Sequence, residues 1–272
     1  MDLNTKDIQL QFQGFLKTPL LWKSEAIFEL TQLEIPKEKH SKFNASISKN
    51  LRLGKRVERF VKNELEQFSS IKIVAENVQI QHNKITIGEI DFIIKQHKTP
   101  IHLEVVYKFY LYDETVGNTE LEHWIGPNRK DSLITKLTKL KEKQLPLIFR
   151  TQTKSYLEKL EINTEEIEQQ VYFKAQLFVP YKFKISSFNL INNKCVKGFY
   201  IPFERLIEFE NCNFYIPTKI NWLQEVQTQI NWKTYNQILS KIEVLINNKT
   251  APLCWLKYSN GDVDKFFVVW WL

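Results

Sequence analysis

Apolar residues recur at three- and four-residue steps between residues 50 and 68, a spacing that predicts a helix with one buried face. The apolar positions of this stripe are Leu53, Val57, Phe60, Val61, Leu65 and Phe68. Glu58 directly follows Val57, so its carboxylate borders the stripe. We therefore expect the helix to hold an acidic side chain close to the surface against which it packs.

After residue 70 the pattern changes to apolar runs that are typical of β-strands. Three runs follow one another: I-K-I-V-A-E-N-V-Q-I, with H-N-K as a turn after it, K-I-T-I-G-E-I-D-F-I-I-K, and P-I-H-L-E-V-V-Y-K-F-Y-L-Y. Gly88 interrupts the second run, which often marks a bulge or a close backbone approach. The third run is almost continuously apolar, which predicts a strand buried on both faces.

The chain after the third strand returns to a helical pattern and then to a strand. Asp131 is predicted to cap a helix that runs through S-L-I-T-K-L-T-K-L-K-E-K-Q-L and ends before Pro146. The strand V-Y-F-K-A-Q-L-F-V-P follows. Because helices that follow strands imply crossover connections, this order predicts an α/β fold with a mixed sheet.

The sequence divides into three regions of different texture. We expect residues 1–49 to be a mainly helical segment, residues 50–180 to be the core, and residues 181–272 to be an α+β extension packed on that core. The extension contains short aromatic strands, one helix around W-K-T-Y-N-Q-I-L-S-K-I-E-V-L-I, and a final hairpin that ends in F-F-V-V-W-W-L.

The 272 residues carry a net charge of +7, which permits an anionic partner, nucleic acid above all. A Lys-, Ile- and Asn-rich composition from an AT-rich genome would give the same charge without such a partner. Three widely spaced cysteines form neither a disulfide framework nor a C-x-x-C zinc motif. No secretory signal is visible and no apolar run could span a membrane, so we expect a cytoplasmic protein with no membrane partner.

Two carboxylates stand where apolar strand residues would be expected, Asp91 in the second strand and Glu104 in the third. A buried carboxylate is costly unless its charge is compensated. Because neighbouring strands lie ~4.8 Å apart, the two side chains could place their oxygens about 5 Å apart. Mg²⁺ takes hard oxygen ligands and keeps several waters, so two carboxylates suffice to bind it. We predict that Asp91 and Glu104 bind Mg²⁺ or Mn²⁺, with Lys108 on the third strand as an alternative partner for their charge.

The arrangement of a helix with an acid, then G-E-I-D, then a glutamate followed by a lysine on the next strand resembles the PD-(D/E)XK nuclease superfamily. Several longer blocks resemble a bacterial family known as domain of unknown function 1853, which is itself similar to those nucleases. These blocks are T-P-L-L-W, L-E-V-V-Y-K-F-Y-L, W-I-G-P-N-x-x-D, K-E-K-Q-L-P-L and F-Y-I-P-T-K-I-N-W-L.

The resemblance implies a restriction-endonuclease-like αβββαβ core and metal-dependent hydrolysis of phosphodiester bonds, in DNA rather than RNA. It makes Asp91 and Glu104 the metal ligands, Lys108 the residue that assists the attacking water, and Glu58 the supporting acid of the helix. Gln144 is similar to a glutamine that some members carry after the core helix, although the tyrosine that often follows it is absent.

One departure concerns the lysine, which in the superfamily usually lies two residues after the glutamate. Val106 occupies that place here, and Lys108 lies four residues after Glu104, ~13 Å further along a regular strand. A binding protein that no longer cuts is therefore an alternative function. A structural or regulatory protein is a second alternative, in which the two acids form a hydrogen-bonded pair or an ion pair with Lys108.

Further predictions concern the residues around the G-P-N loop. Asn128, Arg129, Lys130 and Lys136 could contact nucleic-acid phosphates through basic side chains and loop amides. The alternative is a turn that caps the next helix, followed by a solvated helix face. Glu89 is predicted to lie at the surface rather than to bind a ligand.

Overall fold

The computed structural model describes residues 3–23, 26–35, 42–48, 50–184 and 187–272. The α-helices are α1 (Leu3–Lys17), α2 (Leu53–Leu65), α3 (Leu133–Lys139), α4 (Thr151–Lys159) and α5 (Tyr235–Asn247). The strands are β1 (Ile71–His82), β2 (Ile85–Gln96), β3 (Thr99–Tyr112), β4 (Trp124–Ile125), β5 (Glu168–Pro180), β6 (Val196–Pro202), β7 (Asn213–Tyr215), β8 (Lys233–Thr234), β9 (Leu253–Lys257) and β10 (Val263–Val269). A π-helical turn, Leu140–Gln144, and a 3₁₀ turn, Leu145–Phe149, follow α3.

These elements form two compact units, each built from separated parts of the sequence. Unit A comprises Leu20–Tyr107 and Thr135–Lys174. Unit B comprises the chain up to Pro19, Lys108–Ile134 and Ala175–Leu272. The division into regions 1–49, 50–180 and 181–272 stays a prediction.

In unit A, the predicted amphipathic helix is α2, and its apolar stripe forms part of the core. Val57, Phe60, Val61 and Leu65 are each at most 1% exposed. The helix also buries Arg56, whose guanidinium donates a hydrogen bond to the carbonyl of Ser48. The helical spacing read from the sequence is confirmed, and the helix is shorter than predicted at both ends.

Strands β1, β2 and β3 form an antiparallel meander, as their sequence pattern predicts. The first turn holds Asn83 and Lys84 with φ of 49° and 66°, the left-handed values of a two-residue hairpin turn. The register shifts beside Gly88, between the pairs Ile80–Gly88 and Gln81–Thr86. A Cβ atom at Gly88 would lie 2.6 Å from a methyl group of Leu147. The glycine therefore marks both a bulge and a close approach, as expected.

The strand order in unit A is β1-β2-β3-β5. Apolar residues of β1 and β2 pack against the 3₁₀ turn and against the segment that includes α4. The residues of this cluster are Val78, Ile80, Ile90, Ile93, Leu147, Ile148, Leu157, Ile162 and Ile167. The strands and the segments that pack on them thus form an apolar core in unit A. The acidic side chains described below belong to the same unit.

Unit B orders its strands β5-β6-β10-β9-β7-β8. β6 runs parallel to β5 and β10, whereas β9 is antiparallel to β10 and β7. Helix α5 packs Ile238 and Ile242 into the apolar cluster of this unit, and β9 and β10 form the predicted C-terminal hairpin. The mixed α/β class is thus confirmed. Over the described residues, no helix has the length and apolarity to cross a membrane.

Candidate functional site

Three carboxylates from α2 and β2 come together in unit A. Glu58, Glu89 and Asp91 each offer an oxygen, and these oxygens all lie within 4.8 Å of one another. Glu89 and Asp91 are two residues apart on β2, so their side chains share one face of the strand. Glu58 and Asp91 were predicted as site residues. Glu89 was expected at the surface rather than in a binding role; its side chain is 28% exposed, and its carboxylate joins this acidic cluster.

Asp91 lies where the pairing of β2 with β3 stops. The regular register ends at the pair Phe92–Leu103, and one residue further the carboxylate of Asp91 accepts a hydrogen bond of 3.0 Å from the backbone N–H of Val105. Burial raises the pKa of Asp91 to about 8, with the charges of Glu104 and Glu58 adding to it. The carboxylate is thus fixed between two strands in surroundings that carry more negative charge than they compensate.

Glu104 is fully buried and lies close enough to Asp91 for its charge to raise the pKa of that residue. Its Oε2 accepts a hydrogen bond of 2.5 Å from Gln144 Nε2, and its Oε1 lies 3.0 Å from His102 Nε2. Lys136 donates in turn to Gln144 Oε1 at 2.6 Å. These bonds orient the carboxylate of Glu104, which is not one of the three acids whose oxygens lie within 4.8 Å of one another.

Gln144 reaches Glu104 from the end of the π-helical turn Leu140–Gln144. π-helical turns insert an extra residue into a helix and occur frequently at functional sites. The structure thus brings together four of the five predicted catalytic residues in unit A, Glu58, Asp91, Glu104 and Gln144.

Lys55, which the sequence reasoning missed, is bound to this cluster. Its ammonium group lies 2.8 Å from Glu58 Oε2 and 2.7 Å from Asn77 Oδ1, and it forms an ion pair with Glu89. Burial lowers the pKa of Lys55, but the hydrogen bonds and charges of Glu58 and Glu89 outweigh that effect and raise it overall. Glu58 is itself largely buried, which raises its pKa against the opposing effect of Lys55. Lys55 and Glu58 are three residues apart on one helix, and this spacing was the sequence signal that could have identified Lys55.

Lys108, the predicted catalytic lysine, belongs to unit B. Its ammonium group lies 2.6 Å from Asp131 Oδ2. One alternative expected Lys108 to neutralise Asp91 and Glu104 permanently. The ion pair that Lys108 forms is with Asp131 instead. Val106, at the place where the superfamily usually has its lysine, is buried at 4% exposure.

The residues of the G-P-N loop make contacts within unit B. Arg129 forms an ion pair with Asp113 at 2.7 Å and lies 4.6 Å from the ring centre of Trp271. Asn128 Oδ1 accepts a hydrogen bond from the backbone N–H of Ala251. Lys130 is exposed. These contacts hold the loop in place, and a role for Asn128, Arg129 and Lys130 in contacting nucleic acid stays a prediction.

The fold and the site together define a mixed α/β protein in which one helix and one strand present clustered carboxylates, with Glu104 of the next strand close by. The family model described as a domain of unknown function, DUF1853, matches residues 16–269. The chain therefore belongs to this family, as its sequence blocks predicted. No curated protein and no solved structure gives a significant match to the chain.

Proposed function

We propose that the protein is a Mg²⁺- or Mn²⁺-dependent nuclease that hydrolyses phosphodiester bonds of DNA. The observation that carries the proposal is the convergence of Glu58, Glu89 and Asp91 oxygens within 4.8 Å of one another, with buried Glu104 close by. The order α2, β1, β2, β3, then α3 and α4, then β5 supports a restriction-endonuclease-like core, with the two-residue strand β4 inserted before α3. This is also the order that places the acidic residues on one helix and two neighbouring strands.

The donor set suits a hard divalent cation. Carboxylate oxygens are the ligands that Mg²⁺ and Mn²⁺ prefer, whereas no cysteine is a member of the cluster. The ammonium group of Lys55 pairs with two of the three acids of the cluster, Glu58 and Glu89, and Asp91 and Glu104 add further negative charge. The excess of negative charge is costly in a largely desolvated site, and a dication would compensate it.

In the proposed reaction a water oxygen bonds to phosphorus while the bond to the leaving sugar oxygen breaks. One proton of the water passes to solvent, and the leaving oxygen takes up a proton. A bound divalent cation would stabilise charge on the phosphate and lower the pKa of the attacking water. Asp91, Glu58 and Glu89 would hold the cation through their clustered oxygens, and Glu104, the other predicted ligand, would add its negative charge from close by.

The test measures Mn²⁺ binding by calorimetry, and cleavage of plasmid DNA, single-stranded DNA and RNA in the presence of Mg²⁺ or Mn²⁺. Asp91→Asn and Glu89→Gln should each weaken Mn²⁺ binding, and Asp91→Asn should reduce cleavage at least ~100-fold, as expected for loss of a group that positions catalytic charge. Glu66→Gln, an exposed acid just beyond α2, is the control and should leave both unchanged. Undiminished cleavage by Asp91→Ala would remove this site from consideration.

The ion pairs of Lys55 with two acids of the cluster favour one alternative, a protein that binds nucleic acid without cutting it. In that case the lysine neutralises the cluster permanently. Binding of DNA that weakens steeply with salt, with no Mn²⁺ binding and no product, would support this alternative. A protein that binds neither DNA nor Mn²⁺ would instead have a structural or regulatory role.

A further inference from the structure

We infer that Lys55 is the lysine of this site. In the absence of a divalent cation it compensates the charge of Glu58 and Glu89. Once the cation is bound, it faces the phosphate of the substrate. The inference rests on the proposed nuclease function. It places the lysine of the site on α2, whereas the resemblance to the superfamily led us to expect it on strand β3.

Strand β3 does not present a lysine at the usual place. Val106 occupies it, and the side chain is buried. The next lysine along the strand, Lys108, is paired with Asp131 in unit B. Another element of unit A is therefore the alternative source of a lysine for the site.

Lys55 meets the geometric requirement. Its ammonium group contacts two of the three clustered acids, Glu58 of its own helix and Glu89 of β2. The side chain is 40% exposed, so the charged group can be reached from solvent. Its flexible four-carbon stem allows the ammonium group to move by a change of rotamer while the helix stays in place.

Cation and lysine compete for the same carboxylates. The ammonium group uses Glu58 Oε2 and Glu89 Oε1, and the clustered carboxylates are also the ligands proposed for the metal. The two positive charges repel each other across these carboxylates, so binding of the dication should weaken the contacts of the ammonium group with Glu58 and Glu89. Asn77 on β1 is a neutral acceptor 2.7 Å away that is not a member of the acidic cluster. It can retain the ammonium group at the edge of the site.

Such competition gives a signature that a purely structural lysine would not produce. Removing the ammonium group should strengthen Mn²⁺ binding, because a competitor is lost, while cleavage becomes slower, because a positive charge near the phosphate is lost. A lysine that only stabilises the fold would, when removed, weaken both properties or change neither.

The experiment compares Lys55→Met and Lys55→Arg with the wild-type protein. The control is Lys62→Met, which removes a lysine of the same helix that pairs with Glu76 outside the cluster. Mn²⁺ affinity is measured by calorimetry, and cleavage is measured in single-turnover reactions at saturating Mn²⁺. Circular dichroism verifies that each variant is folded.

We expect Lys55→Met to bind Mn²⁺ about tenfold more tightly, as expected for loss of one charge-assisted contact to the ligands. Its cleavage rate should fall by at least ~100-fold, Lys55→Arg should retain part of the rate, and Lys62→Met should behave as wild type. Wild-type behaviour of Lys55→Met, or parallel loss of affinity and rate, would overturn the inference and leave the nuclease proposal standing. If the wild-type protein itself neither binds Mn²⁺ nor cleaves, the proposed function fails, and the role of Lys55 fails with it.

Discussion

The acidic residues of unit A differ in how strongly their surroundings constrain them. Glu89 keeps 28% of its side chain exposed and Glu58 keeps 11%, whereas Glu104 is fully buried. Glu104 therefore depends on its hydrogen-bond donors more than the others do, since a buried carboxylate without partners is costly. Gln144 is one of these donors, and it connects Glu104 to Lys136.

The substitution Gln144→Leu tests whether Gln144 holds Glu104 in place. The change removes the amide that donates to Glu104 and leaves a similar volume, so the free energy of unfolding should fall by about 1–3 kcal/mol, the cost of leaving a buried acceptor without its donor. Urea unfolding followed by tryptophan fluorescence measures it. Gln152→Leu is the matched control, because that side chain makes an exposed hydrogen bond to His82; it should change stability by less than ~0.5 kcal/mol. Equal stability of the two variants would mean that Gln144 does not hold Glu104.

At the scale of elements, the regular parts of unit A could be predicted from sequence because each depends on local periodicity. The stripe of α2, the turn at Asn83 and the bulge at Gly88 all follow from the spacing of apolar residues and from the backbone freedom of glycine and asparagine. The π-helical turn at Leu140–Gln144 could not be predicted, because its sequence has the same apolar spacing as an ordinary helix.

The candidate site was only partly predictable, for a related physical reason. Asp91 and Glu104 stand out as acids within apolar strands, so sequence alone identified them. Glu89 and Lys55 lie at positions where polar residues are usual, and only the packing of α2 against the strands brings their charges together. The sequence shows that Glu89 alternates with Asp91 and that Lys55 lies three residues before Glu58. These spacings did not distinguish Glu89 and Lys55 from other surface residues.

The next prediction tests the close approach at Gly88. Gly88→Ala places a methyl group 2.6 Å from Leu147 Cδ2, so Leu147 must shift, and we expect a loss of about 1–3 kcal/mol in the free energy of unfolding. In the background Leu147→Ala the same change should cost much less, because the clashing methyl groups are gone. Gly54→Ala in α2 is the control, since nothing lies within 4 Å of the new atom; it should be neutral or stabilise by roughly 0.5–1 kcal/mol. Additive effects of the two changes at Gly88 and Leu147 would contradict this account.

At the scale of the whole molecule, each of the two compact units is held together by contacts between parts of the chain that are distant in sequence. Residues of β3 and β5 contribute to both units, and unit B draws on three separate parts of the sequence. A prediction made from consecutive segments assumes that each segment packs against its neighbours in sequence. It therefore cannot identify compact units that are built from separated segments. Lys108 is accordingly assigned to unit B and Glu104 to unit A, although Lys108 lies only four residues after Glu104 along β3.

The net charge of +7 is also a property of the whole molecule, and it yields the last prediction. If nucleic acid is the substrate, binding should release counterions from the phosphates that the protein contacts, and affinity should fall as salt rises. With about four phosphate contacts, the association constant of double-stranded DNA should drop roughly 100-fold between 50 and 200 mM salt. Fluorescence anisotropy with the variant Asp91→Asn measures this at constant Mg²⁺ without cleavage. An affinity that does not change with salt, or no binding at all at 50 mM, would show that the positive charge of this chain does not serve nucleic-acid binding.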